Sequence, residues 1–244
     1  MYLSRLILNP RSRAVRRDVA DCQAMHRTVL AAFPAATGTG EAARRAFGVL
    51  YRLDGDRRTG RLVLYVQSRV APDWTRLPAD YLLPPSDGLP NPACKAVDEQ
   101  YARLRAGDVL AFRLCANPTK RVFRQTGPDG KRWDGKRVEL RREADQIAWL
   151  RRKAAEGGFE VLAVRAEPEV PDVRVVPAGK VLGWRRDGRG EAVESARRLT
   201  FYSVVFEGRL RIVDAERFRA TLASGIGPAK AYGFGLLTLA PPRG

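Results

Sequence analysis

An apolar run stopped by Asn-Pro occurs twice in this chain, and nothing else narrows the possible folds as far. Residues 2–8 (Tyr-Leu-Ser-Arg-Leu-Ile-Leu) end at Asn9-Pro10, and residues 109–115 are stopped by Asn117-Pro118. Proline has no amide to give a ladder and pushes the residue before it out of helical geometry. Each run therefore reads as a buried strand with a hard end. After the first, Val19, Cys22, Met25, Val29, Leu30 and Phe33 recur at helical spacing, with Asp18 as predicted N-cap and Pro34 as the stop. Asp21, three residues after Asp18, sits as in a capping box. Residues 47–53 and 61–68 read as strands, joined through a turn opened by Asp54-Gly55. Trp74 falls in a short loop. After the second run, 143–156 reads as a helix with Ala144, Ile147, Ala148 and Leu150 inward and Gly157-Gly158 beyond its end. Strands are expected over 159–164, 173–181, 199–206 and 210–213. A short helix over 216–222, capped by Asp214, and a last strand over 236–239 complete the chain. Both halves spell strand, helix, strands, the order of a ferredoxin-like unit. The expected fold is α+β: two tandem ferredoxin-like domains with antiparallel sheets. The proline-rich stretch 84–93 reads as the linker, dividing the chain into residues 1–92 and 93–244.

Charge then limits the partners. Lys and Arg total 44 against 27 acids, a net +17 over 244 residues. Such an excess attracts polyanions and repels cationic partners. Nucleic acid comes first and an anionic membrane surface second; the plain alternative is a solvated basic surface on an arginine-biased protein. The cations gather in a predicted basic loop (Arg11, Arg13, Arg16, Arg17), in residues 120–153, and at a predicted hairpin tip from Trp184 to Arg189. No apolar run approaches the roughly 20 residues of a membrane span, and no signal-peptide pattern opens the chain. The three cysteines form no C-x-x-C pair, so neither a disulfide framework nor a zinc site is expected, and a reducing cytoplasm fits.

His26 is the chain's only histidine. At 100° per residue it falls on the apolar arc of its helix, between Phe33 and Val19, where a histidine satisfied inside a core is the ordinary reading. At a domain interface the same arc would face a cleft instead. RNA can be cut when its 2′-hydroxyl attacks the adjacent phosphate, which needs proton transfer and cations on the developing charge. One histidine can fill only one proton-transfer role at a time. No carboxylate or His/Cys cluster suggests a metal, so a nuclease here is expected to work without metal or other cofactor. The segment from Gly225 to Gly235 holds four glycines in eleven residues. It matches neither a Walker loop nor a dinucleotide fingerprint. It is either a helix-to-strand turn or a backbone cradle for phosphate.

Several stretches together resemble one family. They are Tyr2-Leu-Ser-Arg-Leu-Ile-Leu-Asn-Pro-Arg-Ser-Arg13, Ala24-Met-His-Arg-Thr28, Phe112-Arg-Leu-Cys-Ala-Asn-Pro-Thr-Lys120 and Ala148-Trp-Leu150. Gly158-Phe159, Val205-Phe-Glu-Gly-Arg-Leu210 and Gly225-Ile-Gly-Pro-Ala-Lys-Ala-Tyr-Gly-Phe-Gly-Leu-Leu237 complete the set. In order, over essentially the whole chain, they resemble the CasE family. These are the repeat-processing endoribonucleases of type I-E CRISPR systems, within the RAMP superfamily of RRM-like, ferredoxin-like folds. The resemblance implies metal-independent cleavage at the base of a CRISPR repeat stem-loop by 2′-hydroxyl attack, with the product kept inside the multi-subunit Cascade complex. His26 falls at the family's catalytic histidine, and Arg27 could steady the phosphorane charge. Arg185 and Arg186 fall on the basic hairpin that meets the stem, and Lys230 with its glycines, Gly225 and Gly227 among them, on the glycine-rich loop; Arg189, on the same predicted tip, is a further candidate. Arg13 and Arg16 are further candidate RNA contacts. One departure stands out: some members carry a tyrosine three residues before the histidine, and here that residue is Gln23, which cannot carry a proton. The competing reading is a non-catalytic RNA-binding subunit on the same fold. A DNA-binding regulator is disfavoured, because no helix-turn-helix grammar is present.

Overall fold

The protein is described from a computed structural model covering all residues except 36–39, 57–58, 86–87, 124–125, 127–129, 131, 133, 166, 168, 186–196 and 243–244. β1 (Tyr2–Leu8), β2 (Leu50–Gly55), β3 (Leu62–Ser68) and β4 (Ala93–Ala96) form a first antiparallel sheet, ordered β2-β3-β1-β4. α1 (Arg13–Ala20) and α2 (Cys22–Ala31) lie on one face of it, and α3 (Gly40–Ala46) leads into β2. After α4 (Asp98–Ala102) comes β5 (Val109–Ala116), then the hairpin β6 (Thr119–Arg121) and β7 (Arg137–Glu139), then α5 (Glu143–Glu156). The short strands β8 (Phe159–Val161), β9 (Ala163–Arg165) and β10 (Val170–Pro171) precede a long antiparallel pair, β11 (Val173–Arg185) and β12 (Arg197–Ile212). α6 (Ala215–Ser224) and β13 (Leu237–Ala240) close the chain. The second sheet is ordered β11-β12-β5-β13, with β8 also on β12. Taking the principal strands of each unit in sequence, both sheets run 2-3-1-4, and the two units are ferredoxin-like domains. β4 starts at Ala93 yet pairs with β1, so strand pairing changes sheet one strand after the expected division at 92/93.

Alternation along the strands makes the two cores. Leu6, Leu8, Tyr51, Leu64 and Val66 meet Val15 of α1 and Met25 and Val29 of α2. Phe112, Leu114, Val204, Phe206 and Leu237 meet Trp149 and Leu150 of α5 and Phe218 and Leu222 of α6. Each sheet thus buries one face under helices, at roughly 1.5–3 kcal/mol per large side chain.

Local expectations fail where side chains find partners the pattern cannot show. The predicted basic loop is α1, capped by Ser12, whose hydroxyl accepts the Val15 amide. Asp18 is not a cap. It is buried inside that helix, accepting from the Tyr81 hydroxyl at 2.8 Å and pairing with Arg17. The cap of α2 is Asp21, and Val19 lies out in solvent. α5 has the expected ends but a different inner face: Gln146, Trp149, Leu150 and Ala154 are buried while Ala144 and Ala148 are exposed. Trp149 stacks on Phe206, and the Gln146 amide donates to the Leu140 carbonyl at 2.8 Å. The expected strands 199–206 and 210–213 are one strand, β12. The expected linker is tied down, since Asn91 exchanges two hydrogen bonds with the Ile7 backbone, each 2.8 Å.

The other faces of the two sheets meet each other. On β2 and β3 the residues turned away from the first core include Arg52, Tyr65 and Gln67. The Arg52 side chain, 3 % exposed, pairs with Asp54 at 2.9 Å. It also donates to the Arg113 carbonyl (3.0 Å), the Leu236 carbonyl (3.3 Å) and the Thr238 hydroxyl (2.9 Å) of the second unit. The Gln67 amide donates to the Leu222 carbonyl at 2.7 Å and accepts from the Tyr101 hydroxyl at 3.1 Å. Removing Arg52 would leave the Arg113 and Leu236 carbonyls without its N–H groups and Asp54 with only the more distant Arg113, at 3.5 Å. Arg52→Met is therefore expected to lower stability by about 3–5 kcal/mol. Urea unfolding checks this, and a loss within about 0.5 kcal/mol, typical of surface positions, contradicts the clamp.

Candidate active site

α2 has two buried sides. Met25 and Val29 enter the first core. Cys22 and His26, one helical turn apart, face the second unit. His26 is 5 % exposed, and its ring meets the Tyr232 ring edge-on, with centroids 6.1 Å apart. Tyr232 belongs to a 3-10 turn, Lys230–Tyr232, within the glycine-rich loop, and stacks on Phe201 of β12 at 4.9 Å. The Tyr51 hydroxyl of β2 donates to the Ala231 carbonyl at 2.9 Å. The imidazole is therefore neither in the first core nor out in water; it sits in the seam between the units.

The hairpin strand β11 rests on the start of α2. Asp21 caps α2 by accepting the Gln23 amide at 2.9 Å, and the same oxygen accepts the Trp184 amide of β11 at 3.2 Å. Gly183 comes so close that an added Cβ would lie 2.5 Å from the Cys22 sulfur and 3.0 Å from that Asp21 oxygen. Burial, then the neighbouring Asp21 charge, pushes the Cys22 thiol up to about 12. Cys22 is thus a packing residue, buried against Gly183.

The loop after α6 is shaped by what it touches. Gly225 and Gly227 both have positive φ, and a Cβ would strike Leu50 at the first and Trp149 at the second. The Gly225 amide is taken by the Thr221 carbonyl at 2.8 Å, so that glycine serves the turn and offers no N–H to a phosphate. The Gly227 amide has no acceptor among the described residues. Burial, then Arg44 and Lys153 nearby, hold the Lys230 amine below its usual range.

The other sequence-predicted residues spread around this seam. Arg27 is exposed on α2, next to His26 in sequence but turned to solvent. Arg13 and Arg16 are exposed on α1. Arg185 ends β11, opposite Arg197. Arg186 and Arg189 lie outside the described residues. Among the described residues, no three His, Cys, Asp or Glu side chains gather as a metal site would need. Sequence reasoning missed Asp21 as the tie to β11, Gly183 as the contact point and Tyr232 as the ring against His26. A repeated fold with a strand-to-helix contact between units carries no local signal for any of them.

Comparison with known proteins adds an independent line. Residues 1–241 match the family model described as CRISPR associated protein. The chain is 39 % identical over 243 residues, 99 % of its length and 100 % of the relative's, to the CRISPR-associated endoribonuclease Cse3 of Thermus thermophilus. It is 37 % identical over 145 residues, 57 % of this chain and 61 % of the relative, to the CRISPR system Cascade subunit CasE of Escherichia coli K12. A solved structure of CRISPR endoribonuclease Cse3 bound to a 19-nucleotide RNA superposes with a TM-score of 0.73 at 38 % identity, covering 99 % of this chain and 100 % of that one.

The tight seat of β11 on α2 can be read chemically. Cys94 is exposed, while Cys22 and Cys115 are buried. A thiol reagent at pH 8 is expected to label Cys94 quickly and the other two only on unfolding. Gly183→Ala, which pushes β11 off α2, should speed labelling of Cys22. Equal labelling of Cys22 in both proteins would contradict the contact.

Proposed function

The chain belongs to the CRISPR associated protein family, and we propose that it is an endoribonuclease that matures CRISPR RNA. It binds the stem-loop of the precursor repeat, cuts at the base of the stem without a metal ion, and retains the product as a subunit of a Cascade complex. The observation that carries this reading is the position of the sole histidine, in the seam against a glycine-rich loop of a +17 chain. Full-length similarity to a named endoribonuclease supports it.

The chemistry asks little of the protein. The 2′-hydroxyl oxygen attacks the adjacent phosphorus as its proton leaves. The bond from phosphorus to the 5′-oxygen breaks, and that oxygen takes up a proton. The products are a 2′,3′-cyclic phosphate and a 5′-hydroxyl, with no water consumed. His26 is assigned to proton transfer, since an imidazole exchanges protons near neutral pH and the Gln23 amide does not. Arg27 and Lys230 are assigned to the charge that builds on the phosphorane oxygens. Arg13, Arg16, Arg185, Arg186 and Arg189, with the open amide of Gly227, are assigned to phosphates of the stem. The protein is assigned to the cytoplasm; among the described residues no helix is long and apolar enough to cross a membrane.

A second reading, an RNA-binding subunit without activity, draws on the 5 % exposure of His26. One variant separates the two. His26→Ala is expected to slow single-turnover cleavage of a repeat hairpin by about 10²–10⁴-fold, the span of general acid–base catalysis, while hairpin affinity stays unchanged. Cleavage by the unaltered protein should persist in EDTA. An unchanged rate in the variant removes His26 from the chemistry, and no cleavage by either protein favours the second reading.

A further inference from the structure

A second feature adjoins the seam and, apart from Lys230 and Gly227 where the two meet, has no part in the assignments above. Between the β6–β7 hairpin, the C-terminal end of α5 and the glycine-rich loop lies a cavity of 710 Å³. Six cations line it, Lys120, Arg121, Arg137, Arg152, Lys153 and Lys230, against one carboxylate, Glu156. Glu156 is already paired with Lys153 and Arg152. Lys120, Arg121, Arg137 and Lys230 have no acidic partner among the described residues. Four unbalanced cations around one cleft leave a strongly positive space whose natural complement is a chain of phosphates.

Phe123 gives the cleft a second property. It lines the same cavity and is 65 % exposed. An aromatic ring held in water among cations is the arrangement on which unpaired bases stack while their phosphates are neutralised. A duplex turns its bases inward and offers no face to such a ring, so the chemistry selects a single strand. The floor of the cleft is closely packed, with Gly227 against the Trp149 ring and Trp149 stacked on Phe206.

Position ties the cleft to the cut. Lys230 lines it, and Tyr232, at the other end of the same 3-10 turn, meets His26. A strand with its reacting phosphate at His26 has only one short turn of protein to cross before it enters this space. We propose that the cleft binds the unpaired RNA that adjoins the stem, entering past Lys230 at the reacting phosphate, with further phosphates on Lys120, Arg121 and Arg137 and a base on Phe123. The proposal rests on the reading of the protein as a hairpin-cutting endoribonuclease and adds to it a second, single-stranded part of the substrate.

The test measures binding of a repeat stem-loop alone and of the same stem-loop with about ten unpaired nucleotides on its 5′ or its 3′ side, about one single-strand site in length. All three carry a 2′-deoxy nucleotide at the scissile position, so that none is cut. The unaltered protein is compared with a triple variant, Lys120→Ala, Arg121→Ala and Phe123→Ala. One of the two extensions is expected to tighten binding about tenfold or more and to steepen the salt dependence. The triple variant should lose that gain while binding the bare stem-loop as before. If neither extension tightens binding, or if the gain survives in the triple variant, the proposal is overturned. An unpaired oligonucleotide alone gives the cleft its own reading. Should the stem-loop itself fail to bind, the functional assignment falls, and loss of oligonucleotide binding in the variant still decides the cleft.

Discussion

A guanidinium buried between two sheets is the contact on which the rest of this molecule depends. Arg52 stands on the face of the first sheet that has no helices, where a lone strand pattern would leave it in solvent. The second sheet covers that face. The charge then has to be answered inside the protein, by Asp54 on its own strand and by two carbonyls and a hydroxyl across the interface. A buried cation without such partners would cost several kcal/mol. With them it adds direction, because a planar fork accepts its partners only in one arrangement. The two units are therefore set in one orientation, beyond what greasy contact alone would specify.

That orientation creates the seam. Tyr51, next to Arg52 in sequence and pointing the other way, reaches the Ala231 carbonyl of the glycine-rich loop. Burial raises its phenol well above the usual range, so it stays a neutral donor. The loop in turn brings Tyr232 to His26. On the opposite side, Asp21 caps α2 and holds β11 by one oxygen. The imidazole is thus enclosed by elements of both units, although it belongs to a helix of the first. Under the proposed function, this placement keeps the proton-transfer group from bulk water. In the proposed function, catalysis and binding use neighbouring surfaces of one junction: the seam for the reacting phosphate and the cleft beyond Lys230 for the strand that leaves the stem.

Much of this was legible from residue order. β1, β5, α5 and the Asp214 cap of α6 all follow from runs, stops and caps that act within a few residues. What failed was settled by partners far away in sequence. Asp18 looked like a cap because it precedes an apolar repeat; it is buried because Tyr81 donates to it from 63 residues on. The arginines before it suggested a loop, yet Ser12 and the partial burial of α1 make a helix of them. The inner face of α5 is turned toward Trp149 because Phe206 offers a ring to stack on and Leu140 a carbonyl for Gln146. The apolar arc holding His26 is buried, at 5 % exposure, but periodicity cannot say whether a buried face meets its own core or another unit. The Tyr232 ring of the second unit makes that distinction. Tyr232 and the cleft lining at Lys120, Arg121 and Phe123 come from segments over 90 residues from His26, and no spacing rule joins them.

The most direct measurement is the fate of the 2′-oxygen at the cut. A repeat hairpin should be cleaved in EDTA to a fragment whose mass carries a 2′,3′-cyclic phosphate. The same hairpin with hydrogen in place of that single 2′-hydroxyl should be bound and left whole. A deoxy hairpin that is still cut at this position, or a fragment ending in a free 3′-hydroxyl, would show that the attacking group comes from elsewhere. The seam around His26 would then have been given the wrong reaction.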